Sequence, residues 1–563
     1  MTYLRVPGAA AVAGLTAIVG IVGGSMVAES QERVNARYRV FTEALATVEA
    51  EYVEPVSAVC VGTDLCGSEA LVYESIEGML RTLDPHSSFF TPKAFSAMRE
   101  RQEGRYFGIG ISIQLVPATS EVTVTALFEG SPAYRAGIRR GDVIARVGAE
   151  IAKDWTTDDV VKRVKGPKGT TVDLGIRRPG VDGEISLTVE RDEIRIPTVR
   201  TAFMIEPGTG YVRLQDFSET SNAELGDALN KLKTAGLERL VLDLRDNPGG
   251  PLDQAIAVSN RFLRQGQPIV ETRGRIPNSN EKYNANQRGG YTDIPLVVLI
   301  NRGSASASEI VSGAMQDHDR AILVGETTFG KALVQSVYPI ANGAGLALTT
   351  GRYYTPSGRM IQRPWDSSFD EYLTYSQRDQ DANRQRSPAD LRYTDTNRKV
   401  YSGGGIEPDH FIPGPIEGFN PSRFARALHA RSIFVGFAER FTKEGDTRPA
   451  ARSAAGYKVN PGWVLTDAMM AEFRKYLDSI RVKVDEAAYA ADLPFIKAMI
   501  HYEVDVDLFG VEEARKQFSK VDPQLQAAMG YFREAAELLA ASSASGVRAS
   551  TSGASPSGSL NRR

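Results

Sequence analysis

The sequence predicts a multidomain α/β protein, and three observations carry that reading. Strands alternate with helical patterns between Tyr211 and Val324, around an apolar run, Leu296 to Ile300, long enough for a strand buried on both faces. From about Phe107 the apolar period changes towards two, and short strands with two short helices make a separate compact module. Beyond residue 415 the pattern is helical, with Met469, Phe473, Leu477 and Ile480 sharing one face. The 563 residues leave room for roughly three to four domains.

Composition bounds the function. The chain is 42% hydrophobic and 24% charged, enough to bury a sizeable core. Sixty-six basic against sixty-nine acidic residues give a net charge of −3, which excludes an electrostatic nucleic-acid binder and gives no reason to expect polybasic membrane adsorption. Two cysteines exclude a disulfide scaffold or a Cys-rich zinc module. The histidines His86, His318, His410, His429 and His501 form no ligand-spaced pair. No metal and no cofactor are expected.

Taken in order, residues 1–28 hold an uncharged stretch, Gly8 to Ala28, behind a short segment containing Arg5. Its length and flank read as a signal peptide or a membrane anchor, with the rest of the chain exported to the cell envelope, the periplasm or the outer face of the inner membrane. Residues 29–93 form a helical region. Val34, Tyr38, Phe41, Leu45, Val48 and Tyr52 make a heptad-like seam that would pack on its own domain or on a second copy. In an oxidising compartment Cys60 and Cys66 would close a small loop disulfide; reduced thiols are the other reading. A second helical pattern runs to Leu83, where Asp84-Pro85-His86 breaks it and leaves His86 a turn residue.

The module with period two follows. Its strands include Val122 to Ala126 and Thr171 to Ile176, with helical patterns at Pro132 and from Trp155 to Val164. In the next region a helix is expected near Asn222 to Ala235 and a strand over Leu240 to Leu244. Residues 366–399 are polar and read as an insertion or long surface loop. A C-terminal helical region, 415–540, fits assembly or adaptor docking and equally a cap over the core. Residues 541–563 are Ser/Gly-rich and expected to be disordered.

Reactive residue types concentrate between 301 and 335. The strand ending at Ile300 runs into Asn301-Arg302-Gly303-Ser304-Ala305-Ser306-Ala307-Ser308-Glu309 and then a helical pattern. A serine there can project from a helix N-terminus, with free backbone N–H groups nearby for an oxyanion. Ser306-x-x-Glu309 is also a capping box, and local sequence alone favours that plainer role. Gly325 to Lys331 imitates a phosphate-binding loop, but Ala332 replaces the Mg²⁺-holding Ser or Thr, and Leu333 to Val337 reads as a strand where such a loop opens a helix. Read as a pair, Ser306 and Lys331 suggest a serine–lysine hydrolase, in which an apolar pocket favours the neutral amine that can accept the serine proton. His318 follows Ser306 on the same helix and should point elsewhere.

At these residues the sequence resembles the carboxyl-terminal processing (tail-specific) protease family, over roughly residues 30 to 415. The likeness rests on L-D-P-H-S at 83–87, F-G-I-G at 107–110, G-S-P-A at 130–133 and A-G-I-R-R-G-D at 136–142. It continues with L-R-D-N-P-G-G at 244–250, G-S-A-S-A-S-E-I at 303–310, G-E-T-T-F-G-K at 325–331 and G-G-G-I-E-P-D at 403–409. The resemblance implies a PDZ domain at 94–192 and a crotonase-like α/β serine protease core at 193–414. It implies Ser306 as nucleophile, Lys331 as general base and Gln335 as the residue orienting the lysine. The Ala307 N–H and an N–H from the Gly249-Gly250 turn would form the oxyanion hole. Phe107, Gly108, Ile109 and Gly110 resemble the loop that binds a substrate's C-terminal carboxylate while the peptide adds to a strand edge. Lys165 occupies a position where an arginine usually couples PDZ and protease, and it lacks the arginine's bidentate fork. A second departure is Ala332-Leu333, where relatives carry a small pair such as Gly-Ser.

The expected activity is that of an exported serine endopeptidase acting near protein C-termini and gated by the substrate C-terminus. Its expected partners are protein substrates, an adaptor or activator, and further copies of the chain. A PDZ-based binding or scaffold protein with a silent protease core is the alternative.

Overall fold

The computed structural model describes residues 38–552 apart from 62–64, 117–118, 129, 179–180, 277–278, 287–289, 366–371, 373, 376–377, 379, 381–385 and 443–458. The expected leader or anchor, 1–28, lies outside the described residues, as does Val34 of the heptad seam. Among the described residues no helix is long and apolar enough to cross a membrane. The chain divides into two compact units: residues up to Lys93 with Val337–Leu348, and Ala94–Ser336 with the residues from Thr349 on.

In the first unit residues 38–51 are helical, and Tyr38, Phe41, Val48 and Tyr52 of the seam are exposed. Cys60–Val61 and Leu65–Cys66 pair antiparallel with Cys60 opposite Cys66, and the two sulfurs are bonded across a Cα separation of 4.0 Å. The helix Ser68–Arg81 places Tyr73, Ile76 and Leu80 against Phe89, Ala344 and Leu346 in a small apolar core. It ends where Asp84 Oδ1 accepts the N–H groups of His86 and Ser87, each at 2.8 Å, which makes the Asp84-Pro85-His86 break a side-chain-closed turn.

In the second unit, strands Glu184–Glu190, Thr171–Arg177, Val143–Val147, Glu121–Leu127 and Ile111–Val116 lie side by side in that order, antiparallel throughout. Alternation along them sends Val122, Val124, Ile144, Leu174 and Ile176 inward against Val160 and Val164 of the helix Thr157–Val164. Thr156 and Asp159 cap that helix reciprocally. Ile111–Val116 is left as an edge strand.

The larger sheet orders Val199–Glu206, Thr209–Leu214, Arg239–Asp243, Leu296–Ile300, Ile322–Gly325 and His410–Phe411, with only the first pair antiparallel. Both faces are covered. Leu240, Leu242, Val298 and Ile300 pack with the helices Ser221–Thr234, Leu252–Asn260 and Ala307–Asp317 on one side. Val241, Val297, Leu299 and Val324 meet Leu525, Ala528, Phe532 and Ala535 of the last two helices on the other. This double burial is why Leu296–Ile300 carries no polar residue.

The helices Arg423–Ala430, Ile433–Thr442, Asp467–Ser479 and Leu493–Phe509 bury a core of their own around Phe434, Phe437, Phe473 and Phe495. The last helix, Phe532–Ser552, runs past residue 541 into the segment expected to be disordered. Once packed through Phe532 and Ala535, a helix propagates at small cost into Ala- and Ser-rich sequence. The described end of the 366–399 stretch forms a short hairpin with the residues that follow, Leu391–Tyr393 pairing with Lys399–Tyr401.

Candidate active site

The chain leaves the buried strand Leu296–Ile300 through a turn whose serines serve different ends. Ser304 Oγ donates to the Leu244 carbonyl at 2.7 Å and Ser308 Oγ to the Asn247 carbonyl at 3.0 Å, tying the turn to the 244–250 loop. Ser306 stands at the N-terminus of the helix Ala307–Asp317 with φ 53° and ψ −112°, a left-handed conformation that costs a serine energy and is held by its surroundings. The Glu309 N–H bonds the Ser306 carbonyl at 2.9 Å. The capping box favoured by local sequence is present at this helix start, with the Glu309 carboxylate accepting the Ser306 N–H.

Glu309 supplies the other half of the turn. Its buried carboxylate accepts from the N–H groups of Ser306 (2.8 Å), Gly330 (2.7 Å) and Lys331 (2.9 Å) and from Thr328 Oγ1 (2.5 Å). Burial raises its pKa to about 7, against four hydrogen bonds that favour the ionised form.

Lys331 follows the strand Ile322–Gly325 and precedes the strand Leu333–Pro339, so the Gly325–Lys331 loop opens a strand where a phosphate-binding loop opens a helix. Its Nζ donates to Gln335 Oε1 at 2.8 Å. Ala332 and Leu333, the departure from the family pattern, are both buried, and the Ala332 N–H bonds Gln362 Oε1 at 2.8 Å. Phe329 packs edge-on against Tyr372, with ring centroids 5.3 Å apart.

The third component is the 244–250 loop. Arg245, 1% exposed, bonds Asp243 and reaches Asp522 at 2.7 Å, which anchors the loop to the C-terminal helices. Burial opposes ionisation of Asp243, yet Arg245 and Arg213 hold its pKa down at about 2. Gly249, at φ 91°, sits against the serine turn and gives its N–H to Asn247 Oδ1 at 2.9 Å. Among the described residues, the N–H groups of Gly250 and Ala307 bond no protein acceptor. Of the two glycines named from the sequence, Gly250 is therefore the one whose amide takes no acceptor among the described residues.

His318 ends the serine's helix with both ring nitrogens engaged, on Asp395 (2.8 Å) and the Pro268 carbonyl (2.7 Å), away from Ser306.

Sequence reasoning passed over one residue entirely. The Tyr353 hydroxyl donates to the Lys331 carbonyl at 2.6 Å and lies 3.2 Å from the Ser306 carbonyl. Its only signal is a place in a strand of apolar alternation.

Phe107, Gly108, Ile109 and Gly110 lead into the edge strand Ile111–Val116. A Cβ on Gly110 would lie 2.3 Å from the Ser131 Cβ, and its φ is 82°. Beside this loop a cleft of about 450 Å³ is lined by Tyr106, Ile111, Phe128, Val160 and Val164. Lys165 also lines it, paired with Glu100 and 4.9 Å above the Tyr106 ring. Burial, with Glu100 nearby, pushes the Tyr106 hydroxyl up to about 12.

Comparison with known proteins agrees with this anatomy. Residues 208–365 match Peptidase family S41 and residues 98–177 match the PDZ domain. A carboxy-terminal-processing protease of Bartonella bacilliformis is 37% identical over 353 residues, 62% of this chain and 78% of that protein. A carboxyl-terminal-processing protease of Synechocystis is 38% identical over 295 residues, 52% of this chain and 68% of that protein. Among solved structures, a photosystem II D1 C-terminal processing protease aligns with 27% identity over 66% of this chain and 92% of its own, at a TM-score of 0.34. With a serine turn, a lysine loop and a PDZ domain in one chain, and relatives matched over most of their length, the protein belongs to the S41 carboxyl-terminal processing proteases, serine-type peptidases that carry a PDZ domain.

Proposed function

We propose that the chain is an exported endopeptidase that uses a Ser306–Lys331 dyad to cleave proteins near their C-termini, with PDZ capture of the substrate's end controlling the reaction. The observation that carries the dyad is the shared Glu309 carboxylate, which accepts the peptide N–H of both residues and so fixes serine and lysine on one support. The neutral Lys331 amine takes the proton as Ser306 Oγ attacks the scissile carbonyl. The Ala307 and Gly250 N–H groups receive the developing oxyanion. The lysine returns the proton to the departing amine, and water, deprotonated by the same lysine, releases the acyl group. Gln335 holds the amine through its side-chain oxygen.

In the PDZ cleft the carbonyls of Ile109 and Gly110 are used inside the domain, by Ala133 N–H (2.9 Å) and Phe128 N–H (3.1 Å). That leaves the N–H side of the loop for a terminal carboxylate, while the peptide pairs with Ile111–Val116. The exposed Tyr38, Phe41, Val48 and Tyr52 support assembly of further copies through the N-terminal helix, with an adaptor as an additional partner.

The test is cleavage of an unstructured protein with a free C-terminus by the chain without residues 1–28, with any activating partner supplied. Ser306→Ala and Lys331→Ala should each abolish cleavage. Full activity in either variant refutes the dyad. Peptide binding without fluorophosphonate labelling of Ser306 in the unsubstituted chain would point instead to a silent protease core.

A further inference from the structure

We infer that Tyr353 is a positioning residue that sets the register of Ser306 against Lys331 by holding the peptide carbonyls of both. The inference rests on the dyad reading and adds a residue to it. Ser306 and Lys331 belong to separate segments, one leaving the strand Leu296–Ile300 and the other leaving Ile322–Gly325. The two strands are neighbours in the sheet, but nothing in their pairing fixes the turns beyond their ends. One backbone bond, from the Phe329 N–H to the Ser304 carbonyl at 2.9 Å, ties the turns together, and two side chains bridge the residues of the dyad themselves. Glu309 Oε2 accepts both peptide N–H groups, Ser306 at 2.8 Å and Lys331 at 2.9 Å. The Tyr353 hydroxyl serves both carbonyls, donating at 2.6 Å to Lys331 with Ser306 at 3.2 Å. The N–H groups of the two residues thus share one acceptor, and their carbonyls share one donor.

Tyr353 is suited to that task. It lies in the strand Gly345–Tyr354 and is 1% exposed. Its own N–H bonds the Ala332 carbonyl at 3.0 Å, which pins its ring beside the lysine. Burial raises its pKa well above the ordinary 10, so the phenol stays protonated and a donor wherever the enzyme works. Proton transfer from Oγ to Nζ is steep in distance: a displacement of about 1 Å costs about a hundredfold in rate. A donor spanning both backbones limits that displacement. The plainer view is a core tyrosine that merely satisfies its hydroxyl. The two views part in what happens to chemistry when the fold is intact.

The experiment uses the full chain with tyrosine, phenylalanine, p-methylphenylalanine or p-aminophenylalanine at position 353. The p-methyl ring matches tyrosine in size without a donor, and the p-amino ring restores one. The readouts are the second-order rate of Ser306 labelling by a fluorophosphonate probe, the midpoint of thermal unfolding, and affinity for a C-terminal peptide. Expected are a tenfold or greater fall in labelling for Tyr353→Phe and for the p-methyl protein, at unchanged peptide affinity, and recovery to within threefold of wild type with the p-amino ring. In a Lys331→Ala background Tyr353→Phe should cause no further loss. Labelling within twofold of wild type in a donor-free protein that melts cooperatively overturns the inference. So does a p-amino protein no faster than its p-methyl counterpart, a comparison that stands if the phenylalanine variant fails to fold. Ser306 labelling at the wild-type rate in Lys331→Ala would sink the dyad itself. An inert Lys331→Ala beside unaffected position-353 variants would sink the tyrosine alone.

Discussion

Gly249 packs directly on Ser306: a Cβ built on the glycine would lie 2.8 Å from the Ser306 Cβ, and also 2.6 Å from the Ala305 carbonyl oxygen and 2.8 Å from the Ala307 nitrogen. Two of these neighbours are backbone atoms of the serine turn, which cannot swing aside. Gly249→Ala should therefore displace that turn and reduce fluorophosphonate labelling by roughly a hundredfold. The backbone adds to the effect, since φ is 91° at this residue. C-terminal peptide binding should be unchanged, and labelling within a few fold of wild type would show that the contact is not limiting.

Glu309 ties the site to pH. A carboxyl whose pKa is about 7 when folded, against about 4.5 when unfolded, binds more protons in the native state between those values. Its contribution to stability is greatest below pH 4.5, falls as pH rises to 7, and is level above. The difference in unfolding free energy between wild type and Glu309→Gln should therefore decrease by roughly 3 kcal/mol across that window. Urea unfolding at intervals from pH 4.5 to 8 measures it. A difference that is flat, or that grows with pH, contradicts the raised value.

Arg140 reaches from the PDZ domain into an acidic pocket of the helical region. It bonds Asp507 and approaches Glu503 at 3.4 Å and Glu439 at 3.6 Å, with its side chain 16% exposed. Burial raises the Glu503 pKa while Arg140 opposes the rise. Arg140→Ala would leave these carboxylates facing one another out of water, at a cost of about 2 kcal/mol in stability. Hydrogen exchange over Ile433–Thr442 and Leu493–Phe509 should quicken in the variant. Unchanged exchange there would mean that the PDZ domain is held by other contacts.

Lys165 and Glu100 are paired in the lining of the PDZ cleft. A peptide's carboxylate would meet the same cation, so Glu100→Gln should tighten binding of C-terminal peptides by about threefold and Lys165→Ala should weaken it by about tenfold. Amidating the peptide's terminus should cost tenfold or more, as measured by fluorescence anisotropy. Equal affinity for the amide would remove the carboxylate from recognition.

What could be read in the sequence is what physics writes locally. The uninterrupted apolar run at Leu296–Ile300 announces a strand covered on both faces, and the helices of both sides cover it. The glycine-rich turns announce backbone that comes close to something, and Gly249 and Gly110 do so. Contacts between distant segments leave no such trace. The S-x-x-E spacing at 306–309 by itself favours a cap, and only the folded chain shows Glu309 gathering amides from residues 330 and 331. Tyr353 reads as one more strand aromatic because its role depends on two carbonyls in other segments. Arg140 lies inside the A-G-I-R-R-G-D stretch, and its partners lie more than 360 residues on in two cases. The last helix was illegible for the opposite reason: small polar composition suggests disorder unless the preceding turns are already packed.

The second face of the catalytic sheet is supplied by Leu525, Ala528, Phe532 and Ala535, far along the chain from the strands they cover. A chain delivered N-terminus first can close its PDZ sheet once residue 190 has emerged, because every strand of that sheet lies before it. The protease cannot follow until some 340 residues later, when the covering helices arrive and Asp522 meets the buried Arg245. On the proposed function, capture of a C-terminus and cutting would thus mature at different times, and a nascent chain would be a peptide binder before it is an enzyme. A chain ended at residue 520 should bind C-terminal peptides, bind a hydrophobic dye and leave Ser306 unlabelled.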